Sequence, residues 1–266
     1  MLIRARAIAY LCIMQIIPLS EGSFTIDKTK RFVPFDPDKD DLQQRPTGSL
    51  LVEVQPFAVV TTEDVLVIDT GLGFSTGGEL QIHSNLRKAG IDPANITKVL
   101  MSHLHKDHAG GIAGDCSYGS RAPQQLSFPN ATYYVQRREL EYAFEKGPTS
   151  YIPEELECLR SSPQTVLLDG DGVLGGYIRY TVTGAHCPWH QVFWIVDGGE
   201  TVFFGGDVAP QLQSMKSRFV AKYDYDGKKA MELRQQWWEQ GRTEGWTFLF
   251  YHDVKTPIYF AHSNTE

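Results

Sequence analysis

Short apolar runs broken by glycine, proline and aspartate set the rhythm of the chain. Residues 15–24 read as a first strand and turn, with Ser20-Glu21-Gly22 as punctuation. Residues 28–48 are rich in Asp, Lys and Pro, carry little periodicity, and read as a long surface loop that could rim a site. Residues 49–61 and then 65–68 read as strands joined by a turn at 61–64. Residues 79–89 have amphipathic helical spacing, with Leu80 and Leu86 inward, His83 exposed and Gly90 as the stop. The β-branched run 97–101 follows. Strand, helix, strand in that order predicts a βαβ unit with a parallel pair.

The alternation continues through a loop at 114–130, a strand at 132–135 and a helix at 137–144. Residues 146–162 contain prolines and read as an insertion, a candidate lid or substrate wall. Strands at 165–168 and 177–182 flank a glycine-rich turn at 170–176. Strands at 192–196 and 201–204, a helix at 228–240 and a strand at 246–250 complete the chain. This order loosely duplicates the first half, without a tandem repeat. At the N-terminus, Arg4 and Arg6 precede an apolar run, 7–19, which begins as a signal peptide does. No small-x-small cleavage site follows, so the strand reading is preferred. Residues 1–14 are then an extension or the start of the first strand, with Met14 an alternative start, and 15–266 a single domain. The run is too short and interrupted to span a membrane.

Composition narrows the class. A chain of 266 residues with 42% hydrophobic content can bury a sizeable single core. The net charge of −7 disfavours a nucleic-acid partner. Cys12, Cys116, Cys158 and Cys187 show no close spacing and read as reduced thiols in the cytoplasm. The sequence permits a homodimer and supplies no membrane anchor.

The candidate chemistry lies in Ser102-His103-Leu104-His105-Lys106-Asp107-His108-Ala109-Gly110-Gly111, at the end of the 97–101 strand. Imidazole and carboxylate are the ligand set for zinc and similar divalent ions. A cluster this dense can serve two ions, with His103 and His105 facing one and Asp107 and His108 the other. The plain alternative is a polar loop rich in histidine. Later strand ends supply the missing ligands. His186 follows 177–182 and can complete the first ion's nitrogens. Asp207 follows 201–204 and can bridge both ions through its two oxygens. His252 follows 246–250 and completes the second ion. Asp69, after 65–68, can orient a ligating histidine from behind or simply cap its turn. His190 reads as a core histidine bonded to a backbone carbonyl.

With these residues in place, the chain resembles the metallo-β-lactamase-fold hydrolases. The likeness lies in the HxHxDH motif (His103, His105, Asp107, His108), a degenerate TPGHTPGH stretch around His186, the bridging Asp207 and the late His252. It implies a four-layer αβ/βα sandwich, with two mixed sheets, helices outside and metals at one edge. It also implies two divalent ions, zinc by default, with manganese, iron or cobalt also suited. Asp107 would then hold the nucleophile as well as an ion. The implied activity is hydrolysis of a small ester, lactone or phosphotriester, as in the lactonase and organophosphate-hydrolase branch. A nuclease on the same fold, or a metal-binding module without turnover, are the alternatives. Phe32, Phe35, Phe57 and Trp189, read as loop residues, favour a partly apolar small-molecule substrate. Departures are Ala185 and Cys187 beside His186, Lys106 between ligands near the site mouth, and Pro210 where lactonases commonly carry tyrosine. Tyr223 or Tyr225 could replace that tyrosine in space. His105 stands where redox members have an acidic residue, which argues for hydrolysis.

Overall fold

The computed structural model describes residues 14–114 and 125–261. The first six-stranded sheet begins at β1 (Gln15–Pro18). The chain then leaves it for β2 (Gly22–Ile26), β3 (Phe32–Pro34) and β4 (Leu50–Val54), a three-stranded side sheet in the order β3-β2-β4. It returns with β5 (Phe57–Val60) and β6 (Val65–Ile68). A small hairpin, β7 (Ser75–Thr76) and β8 (Glu79–Leu80), leads into α1 (Gln81–Lys88) and β9 (Lys98–Leu100). Then come α2 (Lys106–Ala109), β10 (Thr132–Gln136), α3 (Arg137–Lys146), α4 (Pro153–Ser161) and β11 (Thr165–Leu168). The sheet order is β1-β5-β6-β9-β10-β11, and β6 and β9 pair in parallel across α1, as the βαβ pattern predicts.

The second half forms its own sheet from β12 (Gly172–Leu174), β13 (Ile178–Val182), β14 (Gln191–Asp197), β15 (Glu200–Phe204), β16 (Thr247–Leu249) and β17 (Ile258–Phe260), in that order. Between β15 and β16 run the short α5 (Leu212–Met215) and the long α6 (Gly227–Glu244). Asp226 caps α6 by accepting from Lys229 N, and Gly245 closes it at φ 71°.

Alternation of side chains explains the layers. Along β6, Leu66 and Ile68 face the core between the sheets, while Val67 faces the core under the helices. Along β14, Phe193 and Ile195 point between the sheets and Val192 and Trp194 toward α6. A strand covered on both faces needs apolar residues at every position, so these strands appear as unbroken apolar runs. The result is the helix–sheet–sheet–helix sandwich expected. No helix among the described residues is long and apolar enough to cross a membrane.

Several expectations change. The single strand at 49–61 breaks at Gln55-Pro56 into β4 and β5, which belong to different sheets. Proline cannot donate to a ladder, and the break falls there. The surface loop at 28–48 contains β3, and the turn at 170–176 contains β12. The insertion at 146–162 contains α4, which starts at Pro153 with Glu154 and Glu155 in its first turn and buries Leu156 and Leu159. His83 is half-buried, with its ring 5.0 Å from that of Phe128. Phe57 is wholly buried in the inter-sheet core and does not face a substrate. Residues 1–13, with Cys12 and most of the apolar N-terminal run, lie outside the described residues, as does Cys116.

Candidate metal centre

The predicted residues come from strand ends on one edge of the sandwich. Asp69 follows β6, the 103–108 cluster follows β9, His186 follows β13, Asp207 follows β15 and His252 follows β16. The short α2 runs through the cluster itself, and Gly110 and Gly111 end it. A Cβ on Gly110 would lie 2.3 Å from Leu72 O, and one on Gly111 2.2 Å from Thr70 O. Only glycine lets the cluster backbone pack this closely on the Asp69 loop.

The ligand-capable atoms fall into two groups, each with its atoms within 4.8 Å of one another. One holds His103, His105, His186 and Asp207; the other holds Asp107, His108 and His252. Asp207 stands between them. Its Oδ2 is 3.2 Å from His186 Nε2, while its Oδ1 is 3.1 Å from His108 Nε2 and 3.0 Å from His252 Nε2. Asp107 Oδ2 lies 3.5 Å from both His108 Nε2 and His252 Nε2.

Contacts behind the rings set their tautomers. Asp69 is fully buried, at φ 57°, and its Oδ2 accepts from His108 Nδ1 at 2.8 Å. The same carboxylate accepts from Ser102 N and Oγ, at 2.7 and 2.6 Å. The Ser102 proton is thereby committed, so His103 Nδ1, 3.0 Å from Ser102 Oγ, must be the donor in that pair. His186 Nδ1 lies 2.9 Å from Asp224 Oδ1, and His252 Nδ1 donates to Glu53 O at 2.7 Å. Each of these four rings keeps its Nδ1 proton at the back and turns its Nε2 inward. His105 faces in by its other nitrogen, with Nδ1 3.1 Å from His186 Nε2.

His190 is fully buried and reaches the cluster through the backbone. Its Nε2 accepts from Asp207 N at 3.2 Å, and its Nδ1 lies 3.2 Å from Thr183 Oγ1. The ring thus bonds a backbone N–H and a hydroxyl, where a backbone carbonyl was expected. Gly206, at φ 47°, makes room for it, since a Cβ there would lie 2.5 Å from His190 Nε2.

The electrostatics divide along the same line. Burial, with His108 and His105 nearby, holds His103 well below its ordinary value; burial and His186 do the same for His105. Burial also opposes charge on His108 and His252, but Asp207 and Asp107 outweigh it and raise both. Asp207, though buried, is held well below the carboxylate range by His252, His108 and His186.

The donor set fits a divalent cation. His103 Nε2, His108 Nε2 and Asp207 Oδ1 are buried without a hydrogen bond, close to one another but not aligned to share protons. Burying such atoms unpaired is costly, and neutral imidazoles with carboxylates are a hard-to-borderline metal's ligands. Among the described residues, several contributors give no sequence signal of their own. Tyr251 stacks on His108 with ring centroids 4.0 Å apart and donates to Asp107 O at 2.6 Å. Asp224 arrives from a stretch between helices. Glu139, on α3, accepts from Leu104 N at 3.0 Å and lies 3.3 Å from the Cys187 thiol.

Above the cluster lies a cavity of about 260 Å³. His105, His186, Asp207 and His252 form its floor, and Ile26, Phe32, Leu50 and Val52 form an apolar wall. Lys106 lines it, as expected of a mouth residue, and Ser150 brings the 146–162 segment to its edge. Tyr223 also lines it, its ring 6.2 Å from that of His186, whereas Tyr225 is 68% exposed.

Comparison with known proteins finds relatives among lactonases and other hydrolases. A stretch of 119 residues is 34% identical to the N-acyl homoserine lactonase AttM of Azorhizobium caulinodans, covering 42% of this chain and 40% of that protein. The N-acyl homoserine lactonase AiiA of Bacillus thuringiensis subsp. kurstaki is 25% identical over 169 residues, 56% of this chain and 60% of the relative. The chain thus spans about two to three fifths of the length of these two relatives. Among solved structures, a probable metal-dependent hydrolase from Staphylococcus aureus superposes with a TM-score of 0.74 at 20% identity, covering 95% of this chain and 94% of that one. AidC, a dizinc quorum-quenching lactonase, superposes with a TM-score of 0.68 at 19% identity, covering 93% and 90%. Residues 51–236 match the model of the metallo-beta-lactamase superfamily, and the chain belongs to that superfamily.

Proposed function

We propose that the chain is a binuclear metal-dependent hydrolase that opens a small lactone or ester. The observation that carries the reading is the convergence of inward ring nitrogens from His103, His105, His108, His186 and His252 with Asp107 and Asp207, at the floor of a partly apolar cavity. His103, His105 and His186 would hold one ion, Asp107, His108 and His252 the other, and Asp207 both. Two divalent ions bound there, zinc by default, would lower the pKa of water to about 7 and polarise the attacked carbonyl.

The chain's own residues do the rest. Asp107 offers a carboxylate oxygen at the junction of the groups, placed to accept a hydrogen bond from the attacking water and fix its direction. Burial and the nearby Asp207 keep the Tyr223 hydroxyl protonated far above neutrality, so it remains a donor to the carbonyl or leaving oxygen. This fills the role left open by Pro210. The wall of Ile26, Phe32, Leu50 and Val52 takes the apolar part of the substrate and excludes water. The names of the relatives, which are N-acyl homoserine lactonases, support a lactone.

The test is turnover of an N-acyl homoserine lactone, a p-nitrophenyl ester and a phosphotriester by metal-reconstituted protein, with metal content measured alongside. Close to two ions per chain and lactone opening are expected. Fully loaded protein that opens neither lactone nor ester would overturn the reading.

A further inference from the structure

We propose that the substrate bears an anionic group, carboxylate or phosphate, remote from the bond that breaks, and that Lys28 and Lys30 receive it. The inference rests on the hydrolase reading and sharpens it, because the apolar wall alone would suit a neutral chain.

The chain carries a net charge of −7, yet Lys28, Lys30 and Lys106 all line the cavity. Lysines in ion pairs among the described residues are Lys39, Lys98, Lys146 and Lys228, all outside the cavity lining. The cavity's acidic residue outside the ligand cluster is Asp27, and it is turned into its own loop. Its Oδ1 accepts from Thr29 N at 2.8 Å and from Thr29 Oγ1 at 2.5 Å. Among the described residues no carboxylate makes ion-pair contact with Lys28, Lys30 or Lys106, and Asp27 and Asp107 reach Lys28 and Lys106 only at longer range.

Lys30 sits in the turn of the β2–β3 hairpin, its N–H donating to Asp27 O at 3.0 Å. Outside glycine, the described residues with positive φ are Lys30 at 56°, Asp69 at 57° and Thr149 at 132°. Asp69 holds His108. The other two frame one contact, in which Lys30 Nζ donates to Ser150 Oγ at 2.8 Å. Ser150 O in turn accepts from Lys106 N at 2.8 Å, so a single residue ties Lys30 and Lys106 to the same place. Left-handed backbone is disfavoured for residues with a Cβ and persists mainly where function requires it. A neutral serine partner positions the ammonium and leaves its charge available. The implied ligand has a scissile carbonyl at the floor, an apolar middle along Ile26, Phe32, Leu50 and Val52, and an anion at the lysine rim.

The test compares acyl lactones of equal chain length ending in methyl, carboxylate or phosphate. Metal-loaded enzyme supplies kcat/KM at low and high salt, and calorimetry supplies binding of the ring-opened acids. An anionic tail should raise kcat/KM about tenfold, with the advantage shrinking at high salt. The larger gain identifies carboxylate or phosphate as the group. The Lys28→Gln/Lys30→Gln double variant should erase most of the advantage, and Lys30→Arg should retain it. Equal or better turnover of the methyl-ended lactone, insensitive to salt and to the double variant, would overturn the proposal. Selective binding of the anion-tailed acids with no lactone turned over would refute the hydrolase reading while upholding the lysine assignment.

Discussion

The two halves of the ligand cluster are built from similar rings but held differently. In the half with His103, His105 and His186, the rings lean on a serine hydroxyl, on Asp224 and on one another, and burial keeps His103 and His105 neutral. In the half with Asp107, His108 and His252, a fully buried Asp69 grips one ring, a backbone carbonyl grips the other, and nearby carboxylates favour protons on both. The first half is preset in ligand form. The second would have to give up protons to take a cation.

The largest expected effect comes from removing the link between halves. Asp207→Ala should lower kcat/KM by about three orders of magnitude, roughly 4 kcal/mol, and lose one or both ions by elemental analysis. Asp69→Asn and Asp224→Asn should separate the halves. Each should weaken one ion's affinity about 10- to 100-fold, Asp69→Asn at the second half and Asp224→Asn at the first. Competitive chelator titration that found both variants losing the same ion would break the comparison.

Next is Glu21, buried beside the second half, accepting from Leu72 N and raised to about 7 chiefly by burial, with Asp107 adding to the rise. A carboxyl whose folded pKa exceeds its unfolded one binds protons more tightly when folded. Stability is therefore lost as pH climbs from about 4.5 to about 7, and the deficit persists above. Glu21→Gln should match wild type near pH 4 and exceed it by up to about 3 kcal/mol at pH 8 in denaturant titrations. The smallest effect is an ordering. Because His108 and His252 are raised and His103 and His105 lowered, falling pH should protonate the second half first. Its ion should leave at a higher pH than the other, as followed by cobalt spectra.

Legibility in the sequence followed the range of the interactions. His103, His105, Asp107 and His108 sit at the end of one strand, so spacing alone exposes them, and His186, Asp207 and His252 each follow an apolar run. Alternation between two cores also made the strands conspicuous. Asp224, Glu139 and Tyr251 matter only because folding carries them behind a ring or a loop, and nothing local marks them. His190 was visible, but not its bond to Asp207 N, which depends on how two loops meet. β3, β12 and β17 are three residues each, too short for periodicity to register.

The break at Gln55-Pro56 has a consequence for how such a site could be retuned. Ile26, Phe32, Leu50 and Val52 all belong to the side sheet, while every ion-facing residue hangs from the two large sheets. The side sheet meets His252 through the main chain of Glu53, whose O accepts from His252 Nδ1 and whose N donates to His252 O, contacts that any side chain at 53 leaves in place. The proposed substrate wall thus rides on a different sheet from the candidate ligands, with Val52 also packed into the core between the large sheets. Redesign of Leu50 or Val52 should redirect preference without loosening the grip on the ions.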